Sequence, residues 1–262
     1  MTISQSRQSL LHLRTAGQRS EWLAMSGRQG QYSAQKPFNQ CGPTDAWMLH
    51  IRDVLILRWK PLENTVWYEP LAEYTPARLR FWILHTLVPV ILTQRRYCEF
   101  LHAGAIAYNG EAMIFTAASF GGKSTLTHYC LQQGFALVAD DCVGLRTLGT
   151  KIEAVPGYPF CRPYRAAEEL GTQVSDYAHS CLPVKAIYSL EKVAATATAQ
   201  LLTLSGAARM QVLWENRFTA VSYLKAEQFK TTATLANELP VYRLLVPQSL
   251  DKLESVLDIT LA

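Results

Sequence analysis

The stretch that most constrains the fold is residues 112–125, where a short apolar segment is followed by small residues and then by a predicted helix. Met113 to Thr116 has the composition of a buried strand, and the pattern from Lys123 to Gln133 predicts a helix. The loop between them ends in Gly121-Gly122-Lys123-Ser124. A strand that turns through glycines into a helix directs backbone N–H groups and the positive end of the helix dipole into one hollow. Such a hollow suits phosphate.

The spacing of this loop departs from the usual phosphate-loop pattern G-x-x-x-x-G-K-[ST]. The pattern places glycine six residues before the lysine, and this chain has Ala117 there. Alanine adds a methyl group and has poorer access to positive φ angles. In the pattern, Lys123 reaches the β- and γ-phosphates and the Ser124 hydroxyl ligates Mg²⁺. The alternative is a tight strand-to-helix turn that binds no ligand.

Two adjacent carboxylates form the second informative feature. Phe135 to Ala139 is a short apolar run, which predicts a strand buried on both faces, and Asp140-Asp141 follows it directly. In open α/β sheets, ligands bind where the carboxyl ends of strands meet the amino ends of helices. One carboxylate there would hold Mg²⁺, and the other would accept a proton from an attacking hydroxyl. The alternative, a solvated turn, is disfavoured by the position of the pair one helix and one strand after Lys123.

The rest of the chain predicts a mixture of strands and helices. Residues 1–36 are rich in Ser, Gln and Arg, and predict either a helix that docks an apolar stripe or a mobile arm. Thr75-Pro76 begins a helix that Pro89 kinks or ends, and Asn109-Gly110 is a hairpin turn signal. Arg162 and Arg165 are candidates for bidentate pairing with phosphate. The remaining predicted strands are 54–59, 65–68, a pair within 98–108, short ones within 151–165 and 184–191, an edge strand or loop at 193–205, and 240–246; a short helix spans 249–257.

Composition limits the class of protein. The net charge is a mild +4, and the sequence contains no block of Lys and Arg residues. Both features argue against nucleic acid as a partner. The six cysteines occur singly without a C-x-x-C pair, so we expect reduced thiols buried as small hydrophobes and no zinc site. No secretory signal is evident, and the longest apolar run, residues 81–92, is too short to span a bilayer. These features predict a soluble cytoplasmic protein without a membrane partner.

With these elements in order, the chain resembles the HPr kinase/phosphorylase superfamily, in particular its stand-alone HPr-kinase-like members. The resemblance is carried by Leu101-His102-Ala103, by the loop and helix start from Gly121 to Leu126, and by Gly134-Phe135 through Asp140-Asp141. Weaker support comes from Gly157-Tyr158-Pro159 and from Pro240 to Leu244. The resemblance implies an α/β fold. Residues 96–262 would form a P-loop kinase core of the type found in HPr kinase and phosphoenolpyruvate carboxykinase, after an N-terminal strand-and-helix lobe at 1–95.

The resemblance also implies an activity and roles for individual residues. Members of the superfamily transfer a phosphoryl group, usually from ATP with Mg²⁺, to a serine hydroxyl in a protein, in a peptide such as a lasso-peptide precursor, or in free serine. They tend to form homo-oligomers. Asp141 resembles the general base, and His102 the histidine beside the carboxylates. Asp140 and Ser124 resemble the metal ligands. The implied nucleotide-binding residues are Ser119, Phe120, Gly121, Gly122, Lys123, Ser124, Thr125 and Arg162.

Three departures from the superfamily pattern keep alternatives open. The loop lacks glycine at 117 and at 120, where Phe120 stands, and the Glu-Ile-Arg-Gly element of true HPr kinases is missing after the aspartates. The N-terminal third also differs from the usual N-terminal domain, which argues against HPr itself as the substrate. A kinase acting on serine in a peptide or protein is the leading hypothesis. The alternatives are a nucleotide-binding or scaffolding module without transfer activity, and a kinase of a small-molecule hydroxyl such as free serine.

Overall fold

The computed structural model describes residues 1–10, 13, 17–162, 167–218 and 224–261 of a mixed α/β chain. The chain divides into two compact units. The first comprises Met1–Arg95 with the short segments Ala166–Glu169 and Val221–Lys225, and the second comprises Arg96–Arg165, Leu170–Ala220 and Ala226–Ala262. Within the described residues, no helix is both long and apolar enough to cross a membrane.

The first unit is built on a seven-stranded sheet. Its strands are β1 (Thr2–Gln5), β2 (Gln18–Arg19), β3 (Leu23–Met25), β4 (Arg28–Ala34), β5 (Trp47–Ile51), β6 (Leu55–Lys60) and β7 (Thr65–Pro70). The spatial order is β1-β7-β6-β5-β4-β2, with β3 also paired to β4. Strands β4 to β7 form an antiparallel meander, and β1 joins β7 in parallel. Short 3₁₀ turns occupy Phe38–Gln40 and Pro61–Glu63.

The prediction for residues 1–36 missed strands β1 to β4, which make up most of their described part. Within this range the described residue Leu13 is helical, and it packs with the buried Leu10 against Met48 and Ile56, as expected for a docked apolar stripe.

The sequence contains a turn signal that explains the difference. Ser26 and Gly27 link β3 to β4 with φ angles of 44° and 84°, and Met25 pairs with Arg28. Two positive φ angles in a two-residue loop match the right-handed twist of a hairpin. Strands β2 and β3 pair with β4, and β4 pairs with β5, so pairing with distant residues determines this part of the chain.

The helical part of the first unit comprises α1 (Pro76–Phe81), a π-helical segment (Trp82–Leu87) and α2 (Val88–Gln94). Its predicted start is confirmed, since the Thr75 side chain accepts a hydrogen bond of 3.1 Å from the Arg78 N–H. Of the two alternatives predicted for Pro89, that it kinks or that it ends the helix, the second is wrong. The chain stays helical to Gln94, and the irregularity is the widened turn that precedes the proline. A π turn shifts the hydrogen-bond register, which accommodates a residue without an N–H.

The second unit contains a nine-stranded sheet in the order β11-β9-β10-β16-β13-β12-β8, with β18 paired to both β16 and β17. A separate pair, β14 with β15, lies outside it. The strands are β8 (Glu99–Leu101), β9 (Ala103–Tyr108), β10 (Glu111–Thr116), β11 (Ala136–Ala139), β12 (Val143–Leu148), β13 (Lys151–Val155), β14 (Phe160–Cys161), β15 (Thr172–Gln173), β16 (Leu182–Val193), β17 (Gln200–Thr203) and β18 (Val241–Pro247). The helices are α3 (Lys123–Gln132), α4 (Ala207–Glu215), α5 (Lys225–Glu238) and α6 (Leu253–Leu261), the last preceded by a 3₁₀ turn at Leu250–Lys252.

The central strands of this sheet are covered on both faces. Along β10, Ala112 and Ile114 belong to a core cluster with residues of α4 and α5. Met113 and Phe115 belong to a second cluster with residues of α3 and α6. Strands buried on both faces have continuous apolar sequences. The predicted buried strand from Met113 to Thr116 is therefore confirmed.

The turn that leads into β10 is also confirmed. Asn109 and Gly110 have φ angles of 51° and 79°, and Tyr108 pairs with Glu111 across the turn. The hairpin fixes the register of β10 against β9. As a result, β10 ends at Thr116 directly before the loop that contains the paired glycines.

Candidate functional site

The loop of residues 117–122, called here the glycine loop, connects β10 to the amino end of α3. Gly122 is the N-cap residue, with φ of 96°, and no side chain caps the helix. The first helical hydrogen bond runs from the Leu126 N–H to the Gly122 carbonyl, at 2.9 Å. The N–H groups of Lys123, Ser124 and Thr125 therefore have no acceptor within the helix. This end of α3 carries the partial positive charge that attracts anions.

The alanine that departs from the phosphate-loop pattern is accommodated by the extra glycine. Ala117 is 4% exposed. A Cβ atom at Gly121 would lie 2.6 Å from the Ala117 Cβ and 2.9 Å from the Ala118 carbonyl oxygen. Both distances are too short for non-bonded atoms, so the Ala117 methyl fits only because residue 121 lacks a side chain. A 2.8 Å hydrogen bond from the Gly121 N–H to the Ala118 carbonyl fixes this turn.

Phe120 occupies the other position at which the superfamily pattern has glycine. Its φ of 63° lies in the left-handed region. This conformation costs a non-glycine residue about 1–2 kcal/mol. Its side chain is 81% exposed at the surface of the glycine loop. The backbone thus adopts a conformation that glycine would favour, although the residue is phenylalanine.

Asp141 is the centre of the polar contacts beside the glycine loop. Its Oδ1 accepts a hydrogen bond of 3.1 Å from Lys123 Nζ, and its Oδ2 accepts a short one from Arg162 Nη2. His102 Nδ1 lies 3.1 Å from the Asp141 carbonyl oxygen and 3.6 Å from its Oδ1. Lys123 and Asp141 are both buried. The backbone of Asp141 is left-handed, with φ of 66°, a strained conformation of the kind often found at functional sites.

Asp140 follows β11 and is 5% exposed. Its Oδ2 accepts a 2.8 Å hydrogen bond from the Arg162 N–H. Its Oδ1 is buried and has no hydrogen-bond partner among the described residues. Burial raises the pKa of this carboxyl above its ordinary value, although the Arg162 N–H and the Lys123 charge oppose the shift. A buried oxygen without a hydrogen-bond partner is energetically unfavourable. A ligand that contacts Asp140 Oδ1 would remove this cost, so the position is a candidate binding site.

His102 is held by a segment that the sequence did not indicate. It interrupts β8 and β9, and its backbone N–H donates to the Asn216 carbonyl at 2.7 Å. Its ring lies 6.4 Å from the Phe218 ring, in a stacked orientation. The contact of Nδ1 with a carbonyl oxygen assigns the proton to Nδ1, so Nε2 is unprotonated in the neutral ring. The chain near Phe218 reaches the site through pairing with β8, which no local pattern predicts.

The predicted site residues that the structure describes divide into three groups by their contacts and their exposure to solvent. Lys123, Asp140, Asp141, His102 and Arg162 form one connected cluster. Ser119, Phe120 and Thr125 are exposed, whereas Gly121, Gly122 and Ser124 are half-buried. In the described parts of the chain, no hydrogen bond joins Ser124 to either carboxylate. Arg165 lies outside the described residues.

The donor set is compatible with a magnesium ion that also contacts phosphate. The described residues contain no group of three or more His, Cys, Asp or Glu side chains placed to hold a metal. Mg²⁺ does not need such a group, because it is usually bound by one or two carboxylates together with phosphate oxygens and water. The Asp140 Oδ1 atom supplies the carboxylate oxygen that this mode requires.

A separate cavity of about 560 Å³ lies in the first unit. Its described lining includes Ser33, Met48 and Arg58 on β4, β5 and β6. None of the predicted site residues lines this cavity. The site is therefore identified by the chemistry of its side chains, described above, and not by this cavity.

Comparisons with known proteins give little further identification. No family model matches the sequence, and no curated protein matches it. Among solved structures, the fold is similar to that of the Hpr(Ser) kinase/phosphatase from Coxiella burnetii. The match has 14% sequence identity and a TM-score of 0.38, and it covers 62% of this chain and 94% of that chain. A likeness at this level establishes neither a family nor an activity for the chain.

Proposed function

We propose that the chain is a phosphotransferase that moves the terminal phosphoryl group of ATP, with Mg²⁺, to a serine hydroxyl of a peptide or protein. The observation that carries the proposal is the arrangement around Asp141, whose carboxylate contacts Lys123 and Arg162 near the uncapped amino end of α3. Phosphoryl transfer requires alignment and charge neutralisation more than covalent participation by the protein. An anion site, two cations and a carboxylate supply these requirements.

The phosphates would bind to Lys123 and to the free N–H groups of the first turn of α3. Asp141 Oδ1 and a phosphate oxygen compete for the Lys123 ammonium group. A di- or triphosphate carries several charges, so it is the stronger partner for a cation. Binding of the phosphates therefore draws Lys123 away from Asp141.

The metal would be held by Asp140 and Ser124. Mg²⁺, when bound, supplies further neutralisation of the phosphate charge. Asp140 keeps Oδ2 on the Arg162 N–H, which fixes the orientation of the carboxylate while Oδ1 remains available. This division of its two oxygens supports a ligand role for Asp140.

The acceptor hydroxyl would lose its proton to Asp141. Once Lys123 moves to the phosphate, Asp141 Oδ1 has a lone pair for that proton, and Arg162 still holds Oδ2. The contact of His102 with the Asp141 carbonyl orients the strained backbone at this position. The roles proposed here are therefore base for Asp141 and positioning residue for His102.

One observation favours a second candidate, a nucleotide-binding module without transfer. Both carboxylate oxygens of Asp141 already accept hydrogen bonds from cations. A carboxylate held in this way is a structural counter-ion and a poor base. The two candidates differ in whether Lys123 leaves Asp141 when a nucleotide binds.

We expect Mg²⁺–ADP and Mg²⁺–ATP to raise the Tm of the wild-type protein. Neither nucleotide should raise the Tm of Lys123→Ala, because this variant lacks the buried ammonium group that would bind the phosphates. At 100 times the dissociation constant, a ligand adds about 2.7 kcal/mol. This corresponds to a rise in Tm of about 5–10 °C in thermal unfolding of a chain of this size. Lys151→Ala, which removes an exposed lysine on β13, is the charge-matched control and should behave as the wild type.

The same experiment separates the two candidates when Asp141→Asn is included. Asparagine tolerates the left-handed backbone and leaves Lys123 without a competing carboxylate. Under the kinase proposal, water takes the acceptor position when no serine substrate is present, so the wild type slowly hydrolyses Mg²⁺–ATP to ADP and free phosphate. The variant should bind Mg²⁺–ADP at least as tightly as the wild type and carry out this hydrolysis at least about 100-fold more slowly. Wild-type protein that binds nucleotide but releases no phosphate would favour the binding module. Wild-type protein without any nucleotide-dependent rise in Tm would contradict both candidates.

A further inference from the structure

Lys192, near the carboxyl end of β16, lies against the glycine loop. Its Cε atom is 3.7 Å from the position that a Cβ atom would take at Gly122, the N-cap residue of α3. The side chain is exposed. No local sequence pattern places this lysine beside the helix, because it lies 69 positions after Lys123 in the chain.

The position of Lys192 follows from strand pairing. Strand β16 runs parallel to β10, and Ser189 pairs with Thr116, the last residue of β10. The carboxyl ends of the two strands therefore meet at the same edge of the sheet. Side chains alternate along a strand, so Lys192 shares a face with Leu190. Leu190 packs in the cluster that contains Leu126 of α3, and two residues later the same face reaches the amino end of that helix.

The acidic residue next to Lys192 in the sequence is paired with another cation. The adjacent acid, Glu191, pairs with Arg243 at 3.3 Å. Across the described residues, Lys192 has no hydrogen bond or ion pair. The two cations of the cluster, Lys123 and Arg162, both contact Asp141. Among the described cations near the amino end of α3, Lys192 is therefore the one without a carboxylate partner.

We propose that Lys192 is a second phosphate-binding lysine, and that it makes the site selective for ligands with two or more linked phosphate groups. The inference rests on the proposed function, because it assigns a partner to the phosphates of that site. One phosphate group suits the N–H groups of α3 and the buried Lys123. A second phosphate group projects further toward solvent, where the exposed ammonium group of Lys192 lies over Gly122. A nucleoside monophosphate cannot use both lysines.

The test compares dissociation constants measured by titration calorimetry for Mg²⁺–ADP, Mg²⁺–AMP and pyrophosphate. The variants are Lys192→Ala, Lys192→Arg and the control Lys185→Ala. Lys185 lies on the same strand, but its ammonium group contacts the Tyr108 ring and the Leu261 carbonyl, away from the glycine loop. We expect Lys192→Ala to weaken binding of Mg²⁺–ADP and pyrophosphate about threefold to fivefold, the upper part of the range for loss of one exposed ion pair. Binding of Mg²⁺–AMP should change less than about twofold, and both Lys192→Arg and Lys185→Ala should keep wild-type affinity for Mg²⁺–ADP within about twofold.

The outcomes distinguish this inference from the proposed function. If Lys192→Ala binds Mg²⁺–ADP as tightly as the wild type does, the inference is wrong and the proposed function stands. An equal loss of affinity for Mg²⁺–AMP and Mg²⁺–ADP would overturn the selectivity, since it would indicate a general electrostatic effect. If the wild-type protein binds none of the three ligands, the proposed function fails and the inference fails with it. Because Lys192 is exposed, its substitution should leave Tm unchanged without ligand, which shows that the variant is folded.

Discussion

Asp140 illustrates how a single residue is placed in an unfavourable environment. Its carboxyl is buried, one oxygen has no partner in the described part of the chain, and its neighbour Asp141 is a second carboxylate. Burial is the largest cause of its raised pKa, and the Asp141 charge adds to it. A group with a raised pKa in the folded state makes the protein most stable when it is protonated. Stability is then lost as pH rises through the folded-state pKa.

We therefore expect Asp140→Asn to raise Tm at pH 7.5, because it removes the ionised carboxylate and can keep the hydrogen bond from the Arg162 N–H. A gain of about 1 kcal/mol is common when a functional constraint is removed, and it raises Tm by about 2–4 °C in a chain of this size. The gain should disappear as pH falls toward 3.8, the ordinary pKa of aspartic acid, where the wild-type carboxyl is also neutral. Thermal unfolding between pH 4 and pH 8 measures the difference. The control is Asp176→Asn, which changes an exposed aspartate, and a Tm gain for Asp140→Asn that is independent of pH would contradict this explanation.

At the scale of elements, the position of α3 depends on a close approach to β9. A Cβ atom at Gly104 of β9 would lie 2.4 Å from Thr127 Oγ1, and Thr127 is fully buried in α3. Neither residue touches the proposed ligands. Their contact nevertheless sets the distance between the helix and the sheet, and with it the position of the glycine loop.

We expect Gly104→Ala to destabilise the protein by about 1–3 kcal/mol, as overpacking in a core does. It should also weaken binding of Mg²⁺–ADP, because the helix must move away from the strand. The double variant with Thr127→Ala removes the clashing hydroxyl and leaves only the Thr127 Cβ, at 3.4 Å from the new methyl group. Urea unfolding and calorimetry should show that the double variant recovers most of both losses. Additive effects of the two substitutions would instead show that the contact does not position α3.

At the scale of the whole molecule, local sequence patterns predicted the elements that local interactions determine. The Asn109-Gly110 turn and the Thr75 cap are of this kind, since the residues that form them are neighbours in the chain. Predictions failed where distant pairing decides the structure, as in residues 1–36, whose strands depend on β5 and β7. The site follows the same division. The pattern indicated Lys123 and the aspartates, whereas the contact of Lys192 with the glycine loop depends on the parallel pairing of β16 with β10.

The reactivity of the cysteine thiols reports on the packing of both units in one measurement. All six are free thiols; Cys41 is buried in the first unit, and Cys98, Cys130, Cys142 and Cys161 are buried in the second.

Burial raises the pKa of Cys98, Cys130 and Cys161 to about 12, and also raises the pKa of Cys41 and Cys142. Only thiolates react rapidly with disulfide reagents. At pH 8 we therefore expect one thiol, the half-buried Cys181, to react rapidly with an aromatic disulfide reagent, and the other five to react only after unfolding in guanidinium chloride. Cys181→Ser should lose the rapid phase and retain five slow thiols. A second rapid thiol in the native protein would show that the interior of one of the two units is more accessible than the structure describes.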